Sequence, residues 1–158
     1  HSKDYVKVIG SGRGGSPAAL QGREHLTTIP STKIAAEAAY KMAGITAKDV
    51  NFAEVHDCFT VAEVVDTEDL GFFKKGTGAT AARNGETKLN GSFSINPSGG
   101  LKSKGHPIGA TGVGQIVEAF EQLTGRSGER TVNDAKIGLT QNFGATGASC
   151  AVHIFQSV

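Results

Sequence analysis

Apolar and polar positions along this chain follow two alternating rhythms, a short two-residue alternation and a longer helical spacing. Tyr5-Val-Lys-Val-Ile9 reads as a strand that runs into Gly10-Ser-Gly-Arg-Gly-Gly15. Ser31 stands where a helix N-cap belongs, ahead of Ile34, Ala35, Ala38, Ala39 and Met42 on one face, and Gly44 is placed to end that helix. Asn51 to Asp57 is a short strand, and Phe59 to about Phe73 a helix that turns Val61, Val64, Val65 and Leu70 inward. From Lys74 to Ser92 no element pattern emerges, and a connection this long is either mobile or functional. Ile108 to Thr124 is the clearest helix, with Val113, Ile116, Val117, Phe120 and Leu123 forming an expected core stripe. Lys136 to Phe143 and Ser149 to Phe155 are strand-like, joined through the hairpin signal Gly144-Ala-Thr-Gly147. The alternation predicts an α/β domain in which helices cover a mixed, partly parallel sheet of about five strands.

Gly10, Gly12 and Gly15 fit G-x-G-x-x-G, which raises a dinucleotide-binding alternative. The context argues against it: no helix opens from these glycines, and Pro17 and Pro30 bracket a segment without the second apolar strand such a unit needs.

Composition narrows the class. A chain of 158 residues with 38% hydrophobic content can bury one core, so a single domain is expected. Sixteen basic and fifteen acidic residues are spread along the chain without a basic stripe, which argues against a nucleic-acid partner. No run approaches the roughly 18 consecutive apolar residues of a membrane span, and no signal-peptide pattern opens the chain. The His1-Ser2 start fits a tag remnant or trimmed fragment. Two cysteines, Cys58 and Cys150, are too few for a disulfide framework and make no standard zinc spacing with His56 and His106, so no metal site is expected. A reducing, cytoplasm-like compartment fits best, or a peroxisome or mitochondrion in a eukaryote. The 22 glycines, about twice ordinary usage, point to several tight loops.

The chemistry concentrates in two segments. Asn96-Pro-Ser-Gly-Gly-Leu-Lys-Ser-Lys-Gly-His-Pro-Ile-Gly-Ala-Thr-Gly112 sets His106 in a glycine-rich turn just before the best helix. Gly99, Gly100 and Gly105 allow close backbone approach to a ligand, and the helix start brings unpaired N–H groups. Glu54-Val-His-Asp-Cys-Phe59 gathers a second titratable cluster at the end of a strand-like run. The plain readings are a surface histidine for His106 and a small buried thiol for Cys58; for Cys150, inside the last strand, the buried reading is favoured. Asp57 either orients a histidine or, preferred here, caps the helix that begins near Phe59. Lys102 and Lys104 either meet a phosphate or are simply solvated.

Both segments resemble the thiolase family. In thiolases a Gly-His-Pro segment supplies an active-site histidine, here Gly105-His106-Pro107, and a four-residue block before a helix faces it, here His56-Asp57-Cys58-Phe59. The His-Asp-Cys-Phe form, with Asn-Pro-Ser-Gly-Gly ahead of Gly-His-Pro-Ile-Gly-Ala-Thr-Gly, is similar to the sterol-carrier-protein-type thiolases and their archaeal acetyl-CoA acetyltransferase relatives. The match runs from about residue 31 to the C-terminus. It implies the C-terminal half of a fold built from two βαβαβαββ halves, an acyltransferase acting on coenzyme A thioesters with no bound cofactor. It implies further that His106 activates a nucleophilic thiol and donates to a thioester oxygen, and that His56 is a second donor or water anchor. The backbone N–H of Phe143 stands where the family donates to a second oxyanion hole. The usual acid/base cysteine of the C-terminal segment is replaced, with Gln141 read at its place, so Cys58 takes over proton transfer, with its pKa drawn toward neutrality.

The family's nucleophilic cysteine belongs to an N-terminal half that nothing before residue 31 can represent. The expectation is therefore a fragment or one subunit, inactive alone, with an exposed apolar face toward the other half or a companion subunit, in a homo- or hetero-oligomer. Two rivals stand beside this: a thiolase-like carbon–carbon lyase (aldolase) subunit, and a non-catalytic binding or scaffold module.

Overall fold

In chain order, the computed structural model, which describes residues 5–158, runs β1 (Val6–Gly15), α1 (Pro30–Ala43), β2 (Phe52–Glu54), α2 (Thr60–Asp69), α3 (Gly78–Arg83), β3 (Ser94–Ile95), α4 (Gly100–Lys104), α5 (Thr111–Leu123), β4 (Ile137–Gly144) and β5 (Ser149–Ser157). The His1-Ser2 start lies outside the described residues. One five-stranded sheet has the order β1-β5-β4-β2-β3. β2 is parallel to β3 and β4, while β5 is antiparallel to β4 and β1. This is the mixed α/β architecture expected, and the hairpin between β4 and β5 lies where Gly144-Ala-Thr-Gly147 predicted it. α3 falls within the stretch that carried no element pattern.

Successive strand residues point to opposite faces, so the sheet has two cores. On one face Ala53, Leu139, Val152 and Ile154 meet Ala35, Ala36 and Ala39 of α1. On the other, Phe52 and Phe155 meet Ala119 and Leu123 of α5. The glycine run explains the closeness of the first layer. Gly12 and Gly14 lie in β1, paired with Val152 and Cys150, and a Cβ on either would overlap the carbonyl oxygens of Ala35 and Ser31 in α1. These glycines are a strand face on which a helix backbone rests, and the dinucleotide-loop alternative fails for that reason.

Three helix expectations change in detail. α1 is entered through Ile29 with Pro30 in its first turn, and the Ser31 hydroxyl donates to the Gly147 carbonyl (2.6 Å), tying the helix to the β4–β5 turn instead of capping it. Ala35, Ala36 and Ala39 face inward while Ile34, Ala38 and Met42 are exposed. In α2, Leu70 is buried and Val65 packs on the core as expected, but Val61 is exposed. The largest departure is α5. Val113 (62% exposed), Val117 (50%) and Ile116 face outward, and the helix presents Gln115, Glu118, Ala119, Gln122 and Leu123 to the sheet. Most of these inward polar groups are paired, although Gln115 Oε1 is buried without a hydrogen-bond partner among the described residues. Gln115 Nε2 donates to the Gln141 carbonyl (2.9 Å), Gln122 Oε1 accepts the Val132 N–H (2.9 Å), and the Gln122 amide donates to Glu118 (2.8 Å) and to the Arg130 carbonyl (2.7 Å).

Candidate functional site

The two chemical segments are pinned together by two carboxyl groups, the buried Glu54 and the half-buried Asp57. Beyond β2 the chain continues extended through Val55-His56-Asp57-Cys58 before α2 begins. Glu54, almost fully buried, accepts the Ser98 N–H (3.0 Å), the Ser98 hydroxyl (2.7 Å) and the Lys104 ammonium (3.1 Å). Burial raises its carboxyl above the ordinary range, and Lys104 opposes that shift. Lys104 therefore belongs to the frame that holds the loop, and Lys102 remains exposed. Asp57 accepts the Leu101 N–H (2.9 Å) at the start of α4, so it caps that helix; α2, whose N-cap is Phe59, has no side-chain cap. Gly100, at φ 69°, is required here because a Cβ would overlap the Asp57 carboxylate.

This docking brings His56, Cys58 and His106 to one cavity of about 580 Å³, whose lining includes Arg13, Asn142 and Phe143. The His56 and His106 ring centroids lie 4.9 Å apart at 78°, and Phe143 packs on His56 at 4.5 Å. His106 is exposed, but its ring orientation is fixed: Nδ1 meets Thr111 Oγ1 at 2.7 Å, and that hydroxyl also lies within reach of the Pro107 carbonyl at 3.2 Å. A second cavity of about 390 Å³ shares Cys58, Phe59 and His106 and is lined by Gly99, Leu101 and Glu63. Of the loop glycines, Gly99 lines that cavity. Gly100 is buried beneath Asp57, and Gly105 supplies a positive φ (79°) immediately before His106. No cluster of three or more His, Cys, Asp or Glu side chains able to hold a metal ion occurs among the described residues.

Electrostatics separates the three groups. Burial, and secondly the neighbouring His106, lowers the pKa of His56 and favours the neutral ring; its Nδ1 is buried without a hydrogen-bond partner among the described residues. Burial raises the Cys58 thiol, and the Phe59 N–H only partly offsets this. The expected shift toward neutrality is therefore reversed in this chain. The ionisable neighbours of the sulfur, Asp66 and Asp57, are carboxyl groups, which oppose a thiolate. Cys150 is buried in β5, with its thiol pushed up to about 12 by burial, as the core reading required.

Gln141 does not enter the cavity. It is fully buried on the α1 face, and strand parity puts its neighbour Asn142 in the lining instead. Asn142 and Arg13 are lining residues that sequence reasoning missed. The available signal for Asn142 was alternation in β4, where Leu139 and Gln141 share one face and Thr140 and Asn142 the other.

Comparison with known proteins places the chain in a family. Residues 12–157 match the family model described as thiolase C-terminal domain-like. The chain belongs to that family. This thiolase C-terminal domain is 47% identical over 151 residues to an acetyl-CoA acetyltransferase of Methanothermobacter thermautotrophicus, covering 96% of the chain and 39% of the relative. It is 45% identical over 117 residues to sterol carrier protein 2 of Homo sapiens, covering 74% of the chain and 21% of that protein. Among solved structures it is similar to the Ltp2-ChsH2(DUF35) aldolase, with TM-score 0.84 and 22% identity over 96% of this chain and 39% of the other. A monomeric SCP2-thiolase-like protein type 1 from Mycobacterium smegmatis gives TM-score 0.69 and 19% identity, covering 97% and 29%. These structural likenesses concern the fold. The domain thus spans about two-fifths of the length of its archaeal relative, and no helix among the described residues is long and apolar enough to cross a membrane.

Proposed function

We propose that this domain is the proton-handling C-terminal half of a thiolase-type acyltransferase that makes or cleaves 3-oxoacyl-coenzyme A. The observation that carries the reading is the shared cavity of His56, Cys58 and His106. Thiolysis needs a thiolate to attack the 3-oxo carbon, a donor for the oxyanion, and an acid to protonate the acetyl-CoA carbanion that leaves as the carbon–carbon bond breaks. The attacking thiol belongs to an N-terminal half or companion subunit. Cys58, which burial keeps protonated, gives its proton to the carbanion and becomes the thiolate. In the condensing direction that thiolate takes the α-proton back.

His106, with Nδ1 engaged by Thr111, offers Nε2 to the attacking thiol or to the thioester oxygen. Neutral His56 hydrogen-bonds that oxygen directly or through water. The Phe143 N–H is the proposed second oxyanion donor, and the loop of Gly99, Gly100 and Gly105 the approach for the coenzyme A thioester. Coenzyme A enters as substrate, with no covalently held cofactor. A cytoplasm-like compartment, or a peroxisome or mitochondrion in a eukaryote, is the setting consistent with this chemistry.

The test combines the chain with an N-terminal thiolase half bearing the nucleophile and measures thiolysis of acetoacetyl-CoA. Activity should appear only in the combination and fall at least about 100-fold with His106→Ala or Cys58→Ala. Thiolysis by the chain alone, abolished by Cys58→Ala, would overturn the half-site assignment; full activity of His106→Ala in an intact assembly would favour a scaffold role. The aldolase reading has one supporting observation, the TM-score of 0.84 to an aldolase. Retro-aldol products in place of thiolysis products from the same assembly would establish it.

A further inference from the structure

We infer that Gln141 is a positioning residue that sets the place of His56, anchored from behind by Asp66 and Thr32. The inference rests on the assignment of His56 to the reacting site, but its geometry stands independently.

Gln141 is fully buried and spends both ends of its side-chain amide on long-range partners. Its Oε1 accepts the backbone N–H of His56 at 2.9 Å. Its Nε2 donates to Asp66 Oδ1 at 2.8 Å and to Thr32 Oγ1 at 3.0 Å, and the Thr32 hydroxyl donates to the same Asp66 oxygen at 3.0 Å. Gln141's own carbonyl receives Gln115 Nε2 from α5 on the opposite face of the sheet. One residue of β4 therefore joins α1, α2 and α5 to the peptide that carries His56.

β2 ends at Glu54, so His56 has no strand ladder of its own. The Gln141 amide supplies the hydrogen bond that the ladder no longer gives. Asn96 does the same one residue earlier, with its Oδ1 accepting the Val55 N–H at 2.8 Å. The charge state of the anchor fits a fixed role. Asp66 Oδ2 is buried without a hydrogen-bond partner among the described residues, and burial raises the carboxyl well above its ordinary range. An ionised oxygen left alone there is costly, so burial favours the protonated carboxyl, and Oδ1 serves as acceptor for two donors. A glutamine at 141 reaches both ways, whereas an apolar residue of similar size leaves the His56 N–H and Asp66 Oδ1 each short of a partner.

Amide hydrogen exchange on the full chain, without substrate, tests this. Gln141→Met should speed exchange of the His56 amide at least about tenfold and weaken the His56–His106 ring proximity signal in NMR, while Leu139 and Ile154 amides keep their protection. Gln141→Glu, which retains an acceptor for His56, should restore most of that protection. If Gln141→Met does not fold, Asp66→Ala takes its place, with Asp66→Asn as the conservative rescue. Unchanged His56 exchange in a folded variant, or an equal acceleration along all of β4 and β5, would overturn the inference. Neither outcome bears on whether the assembled enzyme performs thiolysis, so the two proposals fail separately.

Discussion

On the α1 face of the sheet, β1 has no side chains at Gly12 and Gly14, and α1 answers with Ala35, Ala36 and Ala39, so backbone rests almost on backbone. On the α5 face the order is inverted. Gln115, Glu118 and Gln122 meet the sheet, and Val113, Ile116 and Val117, with Ile108 beside them, look outward. The first face is a finished core. The second holds its helix by side-chain amide hydrogen bonds and leaves an apolar stripe beside the histidine cavity. That stripe corresponds to the exposed surface expected of a half-fold, although sequence periodicity had assigned it to this domain's own core.

The contrast can be broken most sharply at β1. Gly12→Val should destabilise the domain by about 3 kcal/mol or more, because its Cβ overlaps the Ala35 carbonyl and main chain must move; urea unfolding measures this. Next comes the polar contact of α5: Gln122→Met should cost about 1–3 kcal/mol, since it strips the partner from the buried Val132 N–H. A smaller loss there than at an exposed valine would end the claim that α5 is held by its amides.

Asp66 gives a pH-dependent test. Its native pKa lies above the unfolded value of about 3.9, so its contribution to stability is fully present below pH 4 and is lost as pH rises through the raised native value. The stability of Asp66→Asn relative to the parent should therefore improve steadily above about pH 4, in urea midpoints taken across that range. A flat difference would mean that the carboxyl is not neutral in the fold. The smallest effect belongs to the outward stripe: Val113→Ser and Val117→Ser should each shift stability by no more than about 0.5 kcal/mol, while weakening association with an N-terminal half in sedimentation or light scattering.

Much of the fold was legible in local pattern. Strand alternation in β4 and β5, the glycine stop after α1, and the hairpin turn all follow from short-range backbone chemistry, and the structure contains them. Helix orientation was less legible. Periodicity locates an apolar stripe on α5 but not the surface it meets, and in a domain that offers the sheet a row of glutamines the stripe is free to face elsewhere. At the site, His56, Cys58 and His106 were readable because motif residues cluster in sequence. Asn142 was not, because its role depends on which face of β4 looks into the cavity. The cap of Asp57 was assigned to the wrong helix for a related reason: its true partner, Leu101, is 44 positions away.

Residue types and their near neighbours determined by themselves that this chain alternates strand and helix and carries two imidazoles and a thiol in glycine-rich surroundings. Tertiary structure alone decided that Glu54 and Asp57 bind the second motif to the first, that burial raises the Cys58 thiol, and that Gln141 lies behind the cavity. Local propensity acts over a few residues, whereas desolvation and long-range hydrogen bonds exist only after distant segments have excluded water from the space between them.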